Sequence, residues 1–198
     1  MPLVKTQAEG INLADTFAFT GTVSGASNSF VKLASTTVSS NTTSVNFDSS
    51  VVTSTYSNYL VTHRGVQFVA DDGAFRVKYS GDNGSNFLTM QGGIAYQSLI
   101  NSQMGSFATT HSQAHHVISE AEDTLADNSG YNWIIGASYS DRKKYANHTC
   151  IQQHSNASYI IQYWGGCKIN SNTAINYIQY TCGQQISSGT FTLYGVAE

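Results

Sequence analysis

The C-terminal run Gly189-Thr190-Phe191-Thr192-Leu193-Tyr194-Gly195 constrains the fold more than any other part of the chain. Its apolar positions, Phe191 and Leu193, alternate with two threonines and a tyrosine. A period of two is typical of a β-strand with one face in a core and the other in water. We therefore predict a final strand in an all-β domain.

The composition favours the same fold class. Only 11% of the residues are charged, whereas soluble domains usually have about 25%. Ser, Thr, Asn, Gly and Tyr fill the difference, and these residues suit strands and turns and weaken helices. A chain of 198 residues is long enough for one well-packed β-sandwich.

Alternation also predicts a strand from about Tyr59 to Phe68. Tyr59 and Val61 share one parity, whereas Val66 and Phe68 share the other. The inward face must therefore change phase near Arg64-Gly65, where a glycine can accommodate a β-bulge.

Other short strands are separated by clusters of turn-forming residues. We predict strands at Val45 to Phe47, 75–79, 133–137, 145–152, 159–164, 175–182 and 190–196. The predicted turns are Asp71-Asp72-Gly73, Asp82-Asn83-Gly84, Asp127-Asn128-Ser129-Gly130, Asn156-Ala157-Ser158, Gly165-Gly166, Asn170-Ser171-Asn172 and Ser187-Ser188-Gly189. This spacing favours an antiparallel sandwich over βαβ units.

One segment carries a helical pattern instead. Its apolar residues fall at helical spacing, with acidic residues on the other faces. They are Ala114, Val117, Ile118, Ala121 and Leu125, with Glu120, Glu122 and Asp123 between them. The alternative is a long irregular excursion between strands, so we describe residues 97–130 as irregular or partly helical.

The chain divides into an N-terminal arm at residues 1–25 and a sandwich at residues 26–198. The arm has too few apolar residues to form a core, so we expect it to be ordered by docking on another surface. Neither a signal peptide nor an apolar stretch of membrane-spanning length is apparent, and we expect folding in a cytoplasm. The odd set Cys150, Cys167 and Cys182 then indicates buried thiols and no disulfide framework. Whether Cys167 and Cys182 approach each other stays open.

The charge distribution argues against a nucleic-acid partner. The net charge is −3 and the pI is about 6.0, whereas nucleic-acid binding needs clustered Lys and Arg. The basic run Arg142-Lys143-Lys144 is interpreted as a solvated turn.

Metal sites and cofactors are not predicted. His111, His115 and His116 could meet a third ligand in Glu120 if the segment were helical, but the H-E-x-x-H motif is missing. An Asp/Asn group could suggest Ca²⁺, but it lacks the final Glu of an EF-hand loop, which favours turn formation. Its members are Asp71, Asp72, Asp82, Asn83 and Asn86.

An enzyme is not predicted either. The chain has no G-x-S-x-G motif and no Gly-rich phosphate loop, and Glu120, Glu122 and Asp123 resemble one exposed acidic face. The remaining candidates are aromatic. Trp133, Tyr163 and Trp164, with Tyr131 and Tyr159 nearby in sequence, are candidates for a sugar-stacking or protein-binding face. Most aromatic residues of a β domain are instead core residues.

Several segments together resemble virion domains of tailed bacteriophages, in tail, fibre and baseplate-associated proteins. The resemblance covers roughly residues 56–96 and 130–196, with residues 12–23 similar to the opening of such proteins. The segments are Tyr56-Ser57-Asn58-Tyr59-Leu60-Val61, Asp71 to Ser80, Asp82 to Phe87, Ile175-Asn176-Tyr177-Ile178 and Gly189 to Gly195.

The resemblance implies a jelly-roll-like sandwich, commonly trimeric, in a virion assembled in the bacterial cytoplasm. It implies a non-enzymatic structural protein that forms a homotrimer and docks on other virion proteins through residues 1–25. The alternative is a receptor- or carbohydrate-binding module that recognises the host cell surface. No metal is implied, because the His-x-His pattern of some phage fibres is missing. We expect neither nucleic-acid binding nor membrane insertion.

Overall fold

The computed structural model describes residues 30–70, 73–98, 104–120, 127–153 and 160–197, with the backbone alone for 96–98 and 104–112. This part of the chain contains no helix. Its strands are β1 (Phe30–Val38), β2 (Thr42–Phe47), β3 (Asn58–Phe68), β4 (Ala74–Ser80), β5 (Met90–Ser98), β6 (Met104–Gln113), β7 (His116–Glu120), β8 (Asn128–Ile135), β9 (Lys144–Gln153), β10 (Ile160–Ile169) and β11 (Tyr177–Val196).

All strand pairs are antiparallel, and the 20-residue strand β11 joins two halves of one sheet. Its residues 177–181 lie between β2 and β4, whereas residues 189–196 lie between β1 and β3. The larger half runs β1-β11-β3-β8-β9-β10-β5-β6, and the smaller half runs β2-β11-β4-β7. Because β7 contacts β5, β9 and β10, the halves face each other. The predicted all-β antiparallel sandwich is confirmed.

The core lies between the two halves. Phe191 and Leu193 of β11 are fully buried, as the C-terminal alternation predicts. Val45 and Phe47 of β2 are each 2% exposed, which confirms the outer strand there. Burying a side chain of this kind contributes about 1.5–3 kcal/mol to the stability of the fold. The period-two pattern therefore sets the inward face of both strands.

The two backbone irregularities predicted from glycine positions are confirmed. The β3–β8 register shifts between His63 and Val66, and Gly65 between them has a φ of 59°. In the turn after β4, Asn83 and Gly84 have φ values of 57° and 88°. Asn and Gly are the residues that adopt this left-handed backbone most readily.

Three of the predicted turns are wrong. Gly165-Gly166 lies inside β10, Asn128 to Gly130 begins β8, and Ser187 to Gly189 lies inside β11. The glycines allow close strand approach: a Cβ on Gly130 would lie 2.1 Å from the Thr149 carbonyl oxygen. The predicted strands 175–182 and 190–196 are consequently one strand, with register shifts around Ser188. The turn at Asn170 to Asn172 is confirmed as part of the β10–β11 connection.

The predicted helix is wrong wherever its residues are described. Residues 104–113 and 116–120 form β6 and β7, so the irregular excursion is also wrong for them. Four consecutive residues, His116 to Ser119, are buried, and a short, fully buried strand imitates a helical apolar pattern. Pairing with β4 satisfies its backbone, and the β-branched Val117 and Ile118 suit a strand. Residues 121–126, the arm at 1–25, Asp71, Asp72 and the turn at 156–158 lie outside the described residues.

Candidate functional site

The aromatic candidates divide between the two faces of the larger half. Trp133 and Trp164 are half-buried and point away from the core, whereas Tyr163 is 1% exposed and points into it. Adjacent residues of a strand face opposite sides, so Tyr163 and Trp164 cannot share a surface. Tyr163 is therefore wrong as a surface ligand-binding candidate; its hydroxyl contacts Glu120 Oε2 at 3.4 Å. Tyr159 lies outside the described residues.

We call the solvent side of the larger half the outer face. It carries six of the seven exposed large hydrophobic side chains in the described part of the chain. They are Phe30, Tyr131, Ile135, Tyr145, Ile151 and Ile160. Because most of the exposed apolar side chains that the structure describes lie on this face, it is the candidate interaction surface.

The sheet register arranges the aromatic side chains of this face. Tyr131 of β8 and Trp164 of β10 both pair with Thr149 of β9, so the three residues form one row across three strands. Two positions along β8, Trp133 meets Phe30 edge to face, with ring centroids 5.8 Å apart. Sequence reasoning missed Phe30, because its neighbour on β8 is more than 100 residues away in the chain.

The outer face is nearly uncharged, and most of its charges are positive. Lys32, Arg64 and Lys168 are the charged side chains on its outward strand positions that the structure describes. Directly before β8, the carboxylate of Asp127 accepts a hydrogen bond from the outward side chain of Gln67 at 2.9 Å. No salt bridge or hydrogen bond of the Arg64 guanidinium occurs among the described residues. The Arg64 guanidinium is therefore available to an anion, and Asp127 is the one described carboxylate beside this face.

Two neighbouring hollows lie on the outer face between β1 and β8. The first is about 430 Å³ and is lined by Thr62, His63, Arg64, Ser129, Thr190, Thr192 and Tyr194. The second is about 240 Å³ and is lined by Phe30, Leu60, Thr62 and Tyr194. Because Thr62 and Tyr194 line both, we treat the hollows as one furrow with a polar and an apolar end. The larger hollow falls in the size range of small-molecule sites.

The inner side of the larger half carries an unexpected polar cluster. The His63 Nε2–H donates to Asn128 Oδ1 at 2.8 Å. Asn128 Nδ2 in turn donates to Ser119 Oγ at 2.8 Å and to Gln152 Oε1 at 2.9 Å. Buried amides require such partners, so this network joins β3, β7, β8 and β9 inside the sandwich.

Two further histidines meet beside this network. The rings of His116 and His148 have centroids 5.0 Å apart, and both residues are at most 3% exposed. Neither His116 nitrogen nor His148 Nε2 has a hydrogen-bond partner among the residues that the structure describes. Burial lowers the pKa of His63 and of His116 to about 4. Burial, with the neighbouring histidines, lowers the pKa of His148 to about 3.

The parity of β9 is the sequence signal that could have located part of this cluster. Lys144, Ala146, His148, Cys150 and Gln152 alternate and are all buried. Four of these residues are polar or sulfur-containing, so the alternation does not resemble an apolar strand face. The interior is therefore polar where hydropathy alone would not place a core.

The metal alternatives considered from the sequence are not assembled in the described residues. No group of three or more His, Cys, Asp and Glu there could hold an ion. The side chain of Asp82 instead accepts hydrogen bonds from Ser80 Oγ at 2.6 Å and from the backbone of Asn86 at 2.8 Å. These bonds organise the Asn83-Gly84 turn and lower the pKa of Asp82 to about 2.

The basic run 142–144 is only partly a solvated turn. Arg142 and Lys143 are exposed, and Arg142 pairs with Asp141 at 2.8 Å. Lys144 is fully buried, which corrects that interpretation for this residue. Its ammonium group donates to the carbonyl oxygens of Arg142 and Ser171 at 3.3 and 3.2 Å, and burial lowers its pKa. Lys144 thus ties the start of β9 to the β10–β11 connection.

The three cysteines are free thiols, as predicted. Cys150 and Cys167 are buried, and burial raises the pKa of each to about 12. Cys182 is half-buried, and burial raises its pKa as well. Cys167 lies on β10 and Cys182 on β11, and these strands do not pair in the described sheet.

No helix long and apolar enough to cross a membrane occurs within the described ranges. No protein-family model matches the chain, and no curated protein or solved structure matches it significantly.

Proposed function

We propose that the protein is a non-enzymatic structural component of a tailed-phage virion, as part of the tail, a fibre or a capsid-surface appendage. It assembles as a homotrimer, docks on other virion proteins through residues 1–25 and presents the sandwich outward. The observation that carries the assembly part is the outer face, with six exposed large hydrophobic side chains. Monomeric proteins seldom concentrate apolar side chains in this way.

The phage assignment is supported by the resemblance of the strand and turn segments. The all-β sandwich is the fold that this resemblance implies. Two of its segments form pronounced structural features: the Asp82-Asn83-Gly84 turn and the C-terminal part of β11. For the arm at residues 1–25, the sequence alone supports the proposed docking role.

The oligomeric state tests the assembly part directly. Size-exclusion chromatography with light scattering on the full chain is expected to give a trimer of about three times 21.3 kDa. The variant Ile151→Glu places a carboxylate at one of the six exposed apolar positions of the outer face and is expected to shift the mass toward the monomer, because charges are disfavoured in interface cores.

Gln153→Glu is the matched control for this experiment. It adds the same charge on the same face of β9, two residues away at an exposed polar position, and is expected to leave the trimer intact. A folded wild-type monomer at micromolar concentration would contradict the assembly proposal. Labelling the chain with an antibody on intact particles, followed by electron microscopy, tests the virion assignment separately.

A second candidate function is recognition of a host receptor or carbohydrate. The row Tyr131-Thr149-Trp164 and the Trp133–Phe30 pair favour it, because aromatic faces stack on sugar rings and anchor protein contacts. Binding of the purified protein to host cells, competed by unlabelled protein, tests this function. Unsaturable binding, or none, would leave only the structural role.

A further inference from the structure

The furrow on the outer face combines a cation, hydroxyl groups and an apolar wall. Arg64 lies at the polar end, surrounded by the hydroxyl groups of Thr62, Ser129, Thr190, Thr192 and Tyr194. Phe30 and Leu60 lie at the other end, beyond the shared Thr62 and Tyr194. The β-bulge at Gly65 interrupts the β3–β8 register directly beside Arg64.

The polar groups of the furrow have capacity for a ligand. The Arg64 guanidinium and the hydroxyls of Thr62 and Tyr194 have no partner among the described residues. Thr192 Oγ1 shares one hydrogen bond with Ser35 Oγ at 3.0 Å, which leaves further capacity on that hydroxyl. A planar guanidinium pairs best with a carboxylate or phosphate.

The surrounding backbone disfavours a peptide as the occupant. The furrow lies on the face of β3, which pairs with β11 on one side and β8 on the other, so its main chain is already bonded. Even at the bulge, the Gly65 N–H donates to Ser129 Oγ at 2.9 Å and its carbonyl accepts from Ser188 Oγ at 3.3 Å. A peptide strand, which binds through main-chain hydrogen bonds, would find no free edge at β3, and the terminal strand β1 borders only the apolar end of the furrow.

We propose that the furrow between Phe30 and Arg64 binds an acidic saccharide. The anionic group pairs with Arg64, the sugar hydroxyls bond to the threonine and tyrosine hydroxyls, and a ring face packs against Tyr194 and Leu60. For its biological setting, this inference rests on the second candidate function. Its test uses purified protein, so its failure is distinguishable from failure of the virion or receptor proposals.

The test is calorimetric titration of the full chain with matched sugars. The probes are oligogalacturonate, N-acetylneuraminic acid and glucose 6-phosphate, with galactose oligosaccharides and glucose as neutral counterparts. The two carboxylate probes and the phosphate probe distinguish the possible sources of the anion. Saturable binding of at least one acidic probe, with the neutral counterpart weaker by about tenfold or more, is expected from loss of a charge-assisted contact.

Two charge-matched variants assign the site. Arg64→Gln is expected to lower the affinity of the protein for the acidic probe by about tenfold or more. Lys168→Gln removes the same charge from the same face outside the furrow and is expected to leave binding unchanged. Both variants replace side chains that are not fully buried, and unchanged far-UV circular dichroism and thermal unfolding verify their folding.

Several results would overturn the proposal. They are absence of binding for every acidic probe, equal binding of acidic and neutral sugars, and equal weakening by both variants. A triglutamate peptide that binds as tightly as the acidic sugars would also overturn it, because it would identify a site for anions of any kind.

Discussion

The buried histidines predict that lowering the pH destabilises the protein already at pH values above those at which carboxylates titrate. The pKa values of His63, His116 and His148 in the folded protein are about 4, 4 and 3. In the unfolded chain a histidine titrates near 6.5. The unfolded state therefore binds more protons between these limits, and stability is lost as pH falls from about 6.5 toward 4.

The magnitude follows from the difference in bound protons. At pH 5 each of these histidines is protonated in the unfolded chain and mostly neutral in the fold, which removes about 2 kcal/mol of stability per residue. The three together remove about 6 kcal/mol, and domains of this kind have a total stability of about 5–15 kcal/mol. Urea unfolding at pH 7, 6 and 5, followed by tryptophan fluorescence, measures the loss.

A single substitution isolates one proton of this dependence. Within the described part of the chain His116 has no hydrogen-bond partner at either ring nitrogen. His116→Leu is therefore expected to cost little stability at pH 7 and to reduce the slope of stability with pH by about one proton, or about 1.4 kcal/mol per pH unit. His115→Gln, at the half-buried neighbouring position, is the control and is expected to change the slope less. A free energy of unfolding that differs by less than about 1 kcal/mol between pH 7 and pH 5 would refute the reasoning.

Three further predictions follow from burial and close contact. The amide of Asn132 donates to the buried hydroxyls of Tyr79 and Tyr180 at 2.7 and 3.2 Å. Asn132→Ala removes this donor and is expected to lower the free energy of unfolding, measured in urea, by about 1–3 kcal/mol. The control Asn147→Ala, at an outward position, is expected to leave it almost unchanged. Gly130→Ala places a Cβ 2.1 Å from a backbone oxygen of the paired strand, and the resulting overpacking is expected to lower the free energy of unfolding by about 3 kcal/mol. A variant as stable as the wild-type protein would contradict the close approach. Cys150 and Cys167 are expected to resist a thiol reagent in the native protein at pH 8 and to react with it in urea, because burial raises their pKa values to about 12. Mass spectrometry measures the labelling. Rapid labelling of both cysteines in the native protein would contradict their burial.

Local sequence determined the strand faces, one β-bulge and the turn after β4. Phe191 and Leu193 alternate with hydroxyl-bearing residues, and a one-residue shift would bury those residues instead. The phase change around Gly65 and the turn at Asn83-Gly84 could also be predicted, because few residues adopt a left-handed backbone. These features depend on residues within about ten positions of one another in the chain.

Only the tertiary structure decided which glycines lie in turns, which glycines lie in strands, and which polar residues are buried. Gly130 and Gly165 are in strands because a neighbouring backbone passes within van der Waals distance, and the chain carries no local sign of that neighbour. His63, His116 and His148 come from three strands and meet only because the two halves of the sheet face each other.

The furrow has the same origin. Arg64 and Tyr194 are 130 positions apart, and the pairing of β3 with β11 brings their strands side by side. The sequence by itself therefore determined the alternation and the all-β class. Pairing between distant strands decided the site, because the energies that choose strand partners come from contacts that no local pattern encodes.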